Sequence, residues 1–287
     1  MKRKYLNLLK CSVILLQFGI ITSCNTNNEN IIKVCASASP HAEILENVVK
    51  DILSEKGYTL KVTILDWTMQ NDAVNNKDYD ANYFQHIPYL NSYKEDNPLV
   101  ASCKVHYEPL GIYSESKTSL SKGSFEICND ESNAVRAFQL LEAKNIINKD
   151  EENENFPYTD DLKLNFTNDK WTSKNNSVSV SLVSEELLAQ SLIDYDFGLL
   201  PVNSAYTGNI SVSKRVAYED DINQVSSKAN VLAIRKDDYK NNEAYKNKID
   251  VLTDALLSNE VSLFVKEKYN GIITCDETTQ IDLRNKI

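Results

Sequence analysis

Apolar positions along this chain switch between two periods. In SPHAEILENVVKDILSEKG, residues 39–57, Ile44, Leu45, Val48, Val49, Ile52 and Leu53 recur at helical spacing and predict one apolar face. Ser39 is placed to cap that helix, Pro40 suits its first position and Gly57 its stop. On either side, IIKVCAS (31–37) reads as a short buried strand and TLKVTIL (59–65) as an alternating one. The order strand–helix–strand is that of a parallel α/β sheet.

The alternation continues. DANYF (80–84) is strand-like and HIPYLNSYKED begins a helix. LVASCKVHYEPLGIYS (99–114) is a long extended segment, KGSFEIC (122–128) a strand and AVRAFQLLEAKNII (134–147) a helix. Residues 148–155 are acidic and amide-rich and read as a surface loop. Strands follow at 161–166 and 177–183, with a polar exposed stretch, 167–176, between them. SEELLAQSLI (184–193) is helical, with Ser184 as its cap. Strands are expected at 196–202 and 230–236, then helices at about 243–257 and 259–270, with Gly271 as a stop. The fold class is α/β. The length suits two lobes, with hinge candidates near 110–122 and 220–230. Ligands in such folds bind at the carboxyl ends of strands and between lobes.

The first residues carry an address. Lys2, Arg3, Lys4 and Lys10 precede an apolar run from Cys11 to Ile21. That run is about half of the roughly 20 residues a membrane-spanning helix needs, so it reads as a secretory leader. It ends in ITSC (21–24), which resembles the bacterial lipobox. By that resemblance residues 1–23 are removed, Cys24 carries lipid and 24–30 form a lipidated tether. The domain is then held at the outer, extracytoplasmic face of the cell membrane.

Charge and composition exclude more than they assign. The formal net charge is −10, and the leader takes four basic residues with it, so the mature domain is more acidic still. Nucleic acid, whose binding rests on Lys and Arg, is not an expected partner. Seven glycines form no Walker loop and no dinucleotide fingerprint, and no G-x-S-x-G or H-E-x-x-H occurs. No motif here points to catalysis or to a cofactor, and no cofactor is expected. Two rival readings remain: a metal-binding receptor using His41, His86 and His106, whose spacing matches no local metal motif, and a cell-surface hydrolase. Cys35, Cys103, Cys128 and Cys275 lie in or beside apolar runs or near the end of the chain, and are expected to be unpaired core residues.

Three places join strand ends to helix starts. In ASASPHAE the helix start offers backbone N–H groups to a polar ligand, or Ser39 merely caps its own helix. In NDESNAVRAF, Arg136 falls in the first turn of the expected helix. A guanidinium there either meets a ligand carboxylate or makes a surface bridge to Asp130 or Glu131. Third, Trp67 and DANYFQHIPYL (80–90) concentrate aromatics. Strand alternation sends Tyr83 and Phe84 to opposite faces. Phe84, His86 and Tyr89 are assigned to a ligand pocket and Tyr83 to the core.

The lipobox, SPHAEIL, DANYFQHIPYL, KVHYEPLGIYS, NDESNAVRAFQLL, ANVLAIR and NEVSLFVKEKYNG together resemble the NlpA lipoproteins, the methionine-binding lipoproteins of ABC importers. The resemblance implies a two-lobed, periplasmic-binding-protein-like (Venus flytrap) α/β fold with the cleft between lobes. Lobe 1 would comprise 31–115 plus 228–287, and lobe 2 residues 116–227. It implies a monomer that binds methionine or a closely related amino acid and docks on a permease driven by an ATPase, and it implies no catalysis. By the same resemblance Arg136 takes the carboxylate, Trp67, Phe84, His86 and Tyr89 the side chain, and Asn203 and Asn230 polar groups. Trp67 stands where the family usually has tyrosine, and Pro201 where it usually has asparagine.

Overall fold

A computed structural model describes residues 30–95, 98–147, 170–172 (backbone only), 177–221 and 225–287. The leader, Cys24 with all of the tether but Asn30, and the strand expected at 161–166 lie outside the described residues. In chain order the strands are β1 (Ile31–Ala36), β2 (Thr59–Ile64), β3 (Ala81–His86), β4 (Leu99–His106), β5 (Leu110–Tyr113), β6 (Ser124–Cys128), β7 (Lys170–Thr172), β8 (Ser179–Val183), β9 (Phe197–Pro201), β10 (Arg215–Tyr218), β11 (Asn230–Arg235) and β12 (Ile281–Asp282). The helices are α1 (Lys50–Glu55), α2 (Trp67–Asn75), α3 (Ile87–Ser92), α4 (Glu131–Ala143), α5 (Glu185–Ser191), α6 (Val202–Thr207), α7 (Lys236–Asn241), α8 (Glu243–Leu256) and α9 (Asn259–Lys268).

Two six-stranded sheets organise the chain. The first has the order β12-β4-β11-β3-β1-β2 and the second β10-β5-β9-β6-β8-β7. In the first, β1 runs parallel to β2 and β3, while β11 is antiparallel to β3 and β4. In the second, β6 is parallel to β8 and β9, and β5 is antiparallel to β9 and β10. Both sheets are thus mixed, because each receives a strand that crosses from the other lobe. The first crossing lies between β4 and β5, before Leu110. The boundary expected after residue 115 therefore falls too late, since β5 already pairs inside the second sheet. The return crossing lies between β10 and β11.

The periodic face predicted at 39–57 is realised. Ile44, Leu45, Val49 and Leu53 are fully buried and join the core of the first lobe with Leu252 and Leu256 of α8. Burying each such side chain contributes about 1.5–3 kcal/mol. Wide helical turns at Ala38–Ala42 and Leu45–Val49 precede α1. Ser39 is extended (φ −135°, ψ 141°), is followed by a cis peptide bond to Pro40 and does not cap the helix. Its hydroxyl instead lies 3.3 Å from that of Tyr269. Gly57 does end the segment, at a φ of +80° that an L side chain rarely adopts. The second lobe has its own core, in which Phe125 and Phe197 stack 5.0 Å apart. Cys35, Cys103, Cys128 and Cys275 are all buried free thiols.

Candidate functional site

A cleft with an empty volume of about 540 Å³, mouth included, opens between the two lobes. Trp67, Phe84, His86, Tyr89, Arg136, Asn203 and Asn230 all line it. The structure therefore brings together all seven residues that the family resemblance assigns to an amino-acid ligand, while Ser39, His41 and His106 do not line the cleft. It adds Ser37, Gln85, Glu108, Asn133 and Glu185, which the sequence alone does not mark as site residues, and it places Pro201, singled out by the resemblance, in the same lining.

One wall is aromatic and belongs to the first lobe. Strand β3 is buried along its whole length and ends at His86, where Pro88 helps to start α3. Trp67 opens α2 directly after the capping Asp66, which accepts from the Thr68 N–H at 2.9 Å. The ring centroids of Trp67 and Tyr89 are 5.3 Å apart, and those of Phe84 and Tyr89 are 5.8 Å apart, both edge to face. Alternation separates Tyr83 from this wall: it is fully buried, with its hydroxyl 2.5 Å from His106 Nδ1.

His86 joins the lobes. Its Nδ1 accepts the Tyr89 N–H at 3.1 Å, so Nε2 carries the proton and donates to Asn133 Oδ1 at 2.9 Å. Burial, followed by the nearby Arg136 charge, lowers its pKa to about 4, so the ring is neutral at neutral pH.

Arg136 anchors the opposite side. Helix α4 starts at Glu131 behind an Asp130 cap, so Arg136 lies in its second turn and not its first. Its partner is neither Asp130 nor Glu131. Nε and Nη2 donate to the Glu219 carboxylate at 2.9 and 2.5 Å, and Nη2 also donates to the Glu108 carbonyl at 2.6 Å. Lys228 Nζ donates to Glu219 at 2.8 Å. Tyr107 Oη and the Leu110 N–H reach the same carboxylate at 2.8 and 2.9 Å. Burial alone would raise the Glu219 pKa, but Arg136 overrides it and holds the group well below the usual carboxylate range. A charge pair buried this deeply differs in kind from an exposed bridge. The missing signal is sequence distance: 83 residues separate the partners.

The floor of the cleft holds Glu108. Its Oε1 lies 2.9 Å from His106 Nε2 and 3.5 Å from His41 Nε2, and its Oε2 accepts the Asn203 N–H at 3.0 Å. Burial opposes ionisation of Glu108, yet the His106 hydrogen bond and the proximity of His41 keep its pKa below the usual value. His41 also sits 3.1 Å from Asn230 Oδ1. Burial lowers the His41 pKa to about 4, so its contact with Glu108 is no ion pair at neutral pH. The three-histidine metal reading is corrected here: His41 and His106 meet at Glu108, all three buried, while His86 turns to Asn133.

At the mouth, Trp67 Nε1–H donates across the cleft to Glu186 Oε1 at 2.9 Å. Its neighbour Glu185 accepts from Ser204 Oγ at 2.7 Å. Ser184 stands at the start of α5 as expected but makes no side-chain cap. Pro201, ending β9, offers the cleft neither an N–H nor a polar side chain. The assembled site presents an arginine side for an anion, a buried carboxylate for a cation and an aromatic slot for an apolar group.

Known proteins share this fold. The chain is 32% identical to the methionine-binding lipoprotein MetQ of Bacillus subtilis over 95% of its own length and 98% of the relative's. A nutrient binding protein from Burkholderia cenocepacia, solved bound to methionine, superposes with a TM-score of 0.71 at 26% identity, covering 85% of this chain and 99% of that one. A periplasmic substrate-binding protein of an ABC transporter from Coxiella burnetii gives 0.68 at 28% identity, covering 85% and 100%. The NlpA lipoprotein family profile matches residues 32–274, and with two lobes facing one cleft the chain belongs to the NlpA lipoprotein family.

Proposed function

We propose that this chain is the substrate-binding lipoprotein of an ABC importer, taking methionine or a closely related amino acid and delivering it to a membrane permease driven by an ATPase. The observation that carries this reading is one cleft in which Arg136, bonded behind to Glu219 and through it to Lys228, faces an aromatic wall from the other lobe. That cluster carries one net positive charge, suited to a carboxylate. Its hydrogen bonds to Glu219 and Glu108 use Nε and Nη2, so Nη1 would meet the ligand. Glu108, Asn203 and Asn230 would take the ammonium. Trp67, Phe84, His86 and Tyr89 would enclose the side chain, where a thioether against ring edges gains about 0.3–1.5 kcal/mol.

In this reading the protein binds and releases its ligand unchanged. Cys24 carries lipid, the domain works as a monomer on the outer face of the membrane, and closure of the lobes marks the loaded state for the permease. Isothermal titration of ligand-stripped protein with the amino acids tests it. Saturable binding of methionine or a close analogue is expected, and no heat or thermal shift with any amino acid would overturn it.

A further inference from the structure

A simple zwitterion leaves one charge in the cleft over. The Arg136–Glu219–Lys228 cluster offers a positive charge to a carboxylate, and Glu108 a negative one to an ammonium. Glu185 is then unanswered. It lines both the inner cleft and an outer compartment with an empty volume of about 1110 Å³, which share Ser37, Trp67 and Asn203. Arg136 lines the inner one alone, so Glu185 stands at the junction, away from the carboxylate end. Among the described residues only Ser204 Oγ donates to it. The charged groups that act on it are acidic: Glu186 beside it on α5, Asp130 at the start of α4 and Glu108 in the first crossing. Asp66, at the start of α2, lines the same outer compartment, and the inner cation, Arg136, is bonded to Glu219. Tyr89 of the aromatic wall and Glu185 line the same inner cleft, so the carboxylate borders the space that the aromatic side chains enclose.

We propose that Glu185 is a specificity-determining residue that directs the side-chain slot toward an amino acid whose side chain ends in an ammonium group. The inference rests on the amino-acid receptor reading above. Glu185 is half-buried, and a carboxylate drawn out of water with no countercharge favours either a proton or a cation. Burial and the acidic neighbours raise the Glu185 pKa to about 7, so both states are accessible near neutrality. The protonated carboxyl tolerates an apolar side-chain end, whereas the ionised one favours a cation. The ligand preference therefore turns over with pH.

Titration of stripped protein with methionine, lysine and ornithine at pH 6 and pH 8 tests this, in the wild type and in Glu185→Gln. Methionine is expected to bind more tightly at pH 6, and the two diamino acids at pH 8. Glu185→Gln keeps the acceptor for Ser204, should remove both pH trends and should weaken the diamino acids at pH 8 about tenfold. Methionine binding with no diamino acid binding at either pH, or pH trends that survive in Glu185→Gln, would overturn the inference while leaving the receptor reading intact. Should the variant fail to fold, the wild-type trends decide alone. Absence of binding by any amino acid would instead remove the receptor reading itself.

Discussion

The indole N–H of Trp67 in the first lobe donates to the Glu186 carboxylate of the second at 2.9 Å, closing the cleft mouth through one hydrogen bond. Glu186 is exposed and lines the outer compartment but not the inner cleft. Glu186→Ala therefore tests closure without altering the aromatic wall. A solvent-facing bond of this kind is worth about 0.5–1.5 kcal/mol, so a rise in Kd of about two- to tenfold is expected, most of it in the off-rate. Stopped-flow release of bound ligand measures it.

Arg136→Ala should harm more than ligand binding. It leaves Glu219, almost fully buried, with Lys228 as its remaining cation. Breaking a buried pair costs about 3–5 kcal/mol, so the variant should lose both affinity and stability in denaturant melts. Arg136→Lys keeps the charge without the planar fork, and is expected to recover much of the fold and little of the binding.

Glu126 on β6 is fully buried, and burial raises its pKa to about 7. Its Oε1 has no hydrogen-bond partner, while Ser191 donates to Oε2. Because the folded value lies above the unfolded one of 4.5, its contribution to stability is complete below pH 4.5 and is lost as pH rises through about 7. Glu126→Gln should remove that slope, with a difference of about 2 kcal/mol between the pH dependences of the two proteins. Equilibrium urea unfolding at pH 5 and pH 8 gives the comparison.

His86 and His41 act in the opposite sense. Both have folded pKa values near 4, below the ordinary 6.5. Their contribution is present above pH 6.5 and is lost as pH falls through about 4, when the rings must charge while buried. Acid unfolding monitored by tryptophan fluorescence should begin in that window, and His86→Asn should shift its midpoint to lower pH.

Gly208 ends α6 against α5, and a Cβ there would meet the Ala189 Cβ at 2.1 Å. Gly208→Ala should cost about 1–3 kcal/mol and push α5 outward. Because α5 begins with Glu185 and Glu186, the same variant is expected to weaken ligand binding, read by titration alongside the melt.

Local order is legible in the chain, and long-range pairing is not. The helical face from Ile44 to Leu53 and the split of Tyr83 from Phe84 follow from period alone, because neighbours in sequence decide which side a residue faces. Short elements leave no pattern. β10 and β12 have four and two residues, and α2 begins at Trp67 with too few apolar positions to show a period. Arg136 stands out in the sequence as an unusual cation near a helix start, yet its bond to Glu219 depends on two chain crossings that no local pattern encodes. Glu108 carries no signal of its own. Its role emerges when His41, His106 and the start of α6 converge on it.

Glu219 lies in the return crossing, and through Leu110 and Tyr107 it grips the outgoing one as well as Arg136. The two lobes are thus pinned at one ionic axle. Any swing about it moves the deep groups least and the Trp67–Glu186 rim most. In the receptor reading proposed above, the charged end of the ligand sits at that axle and the rim responds to whether the side chain fits.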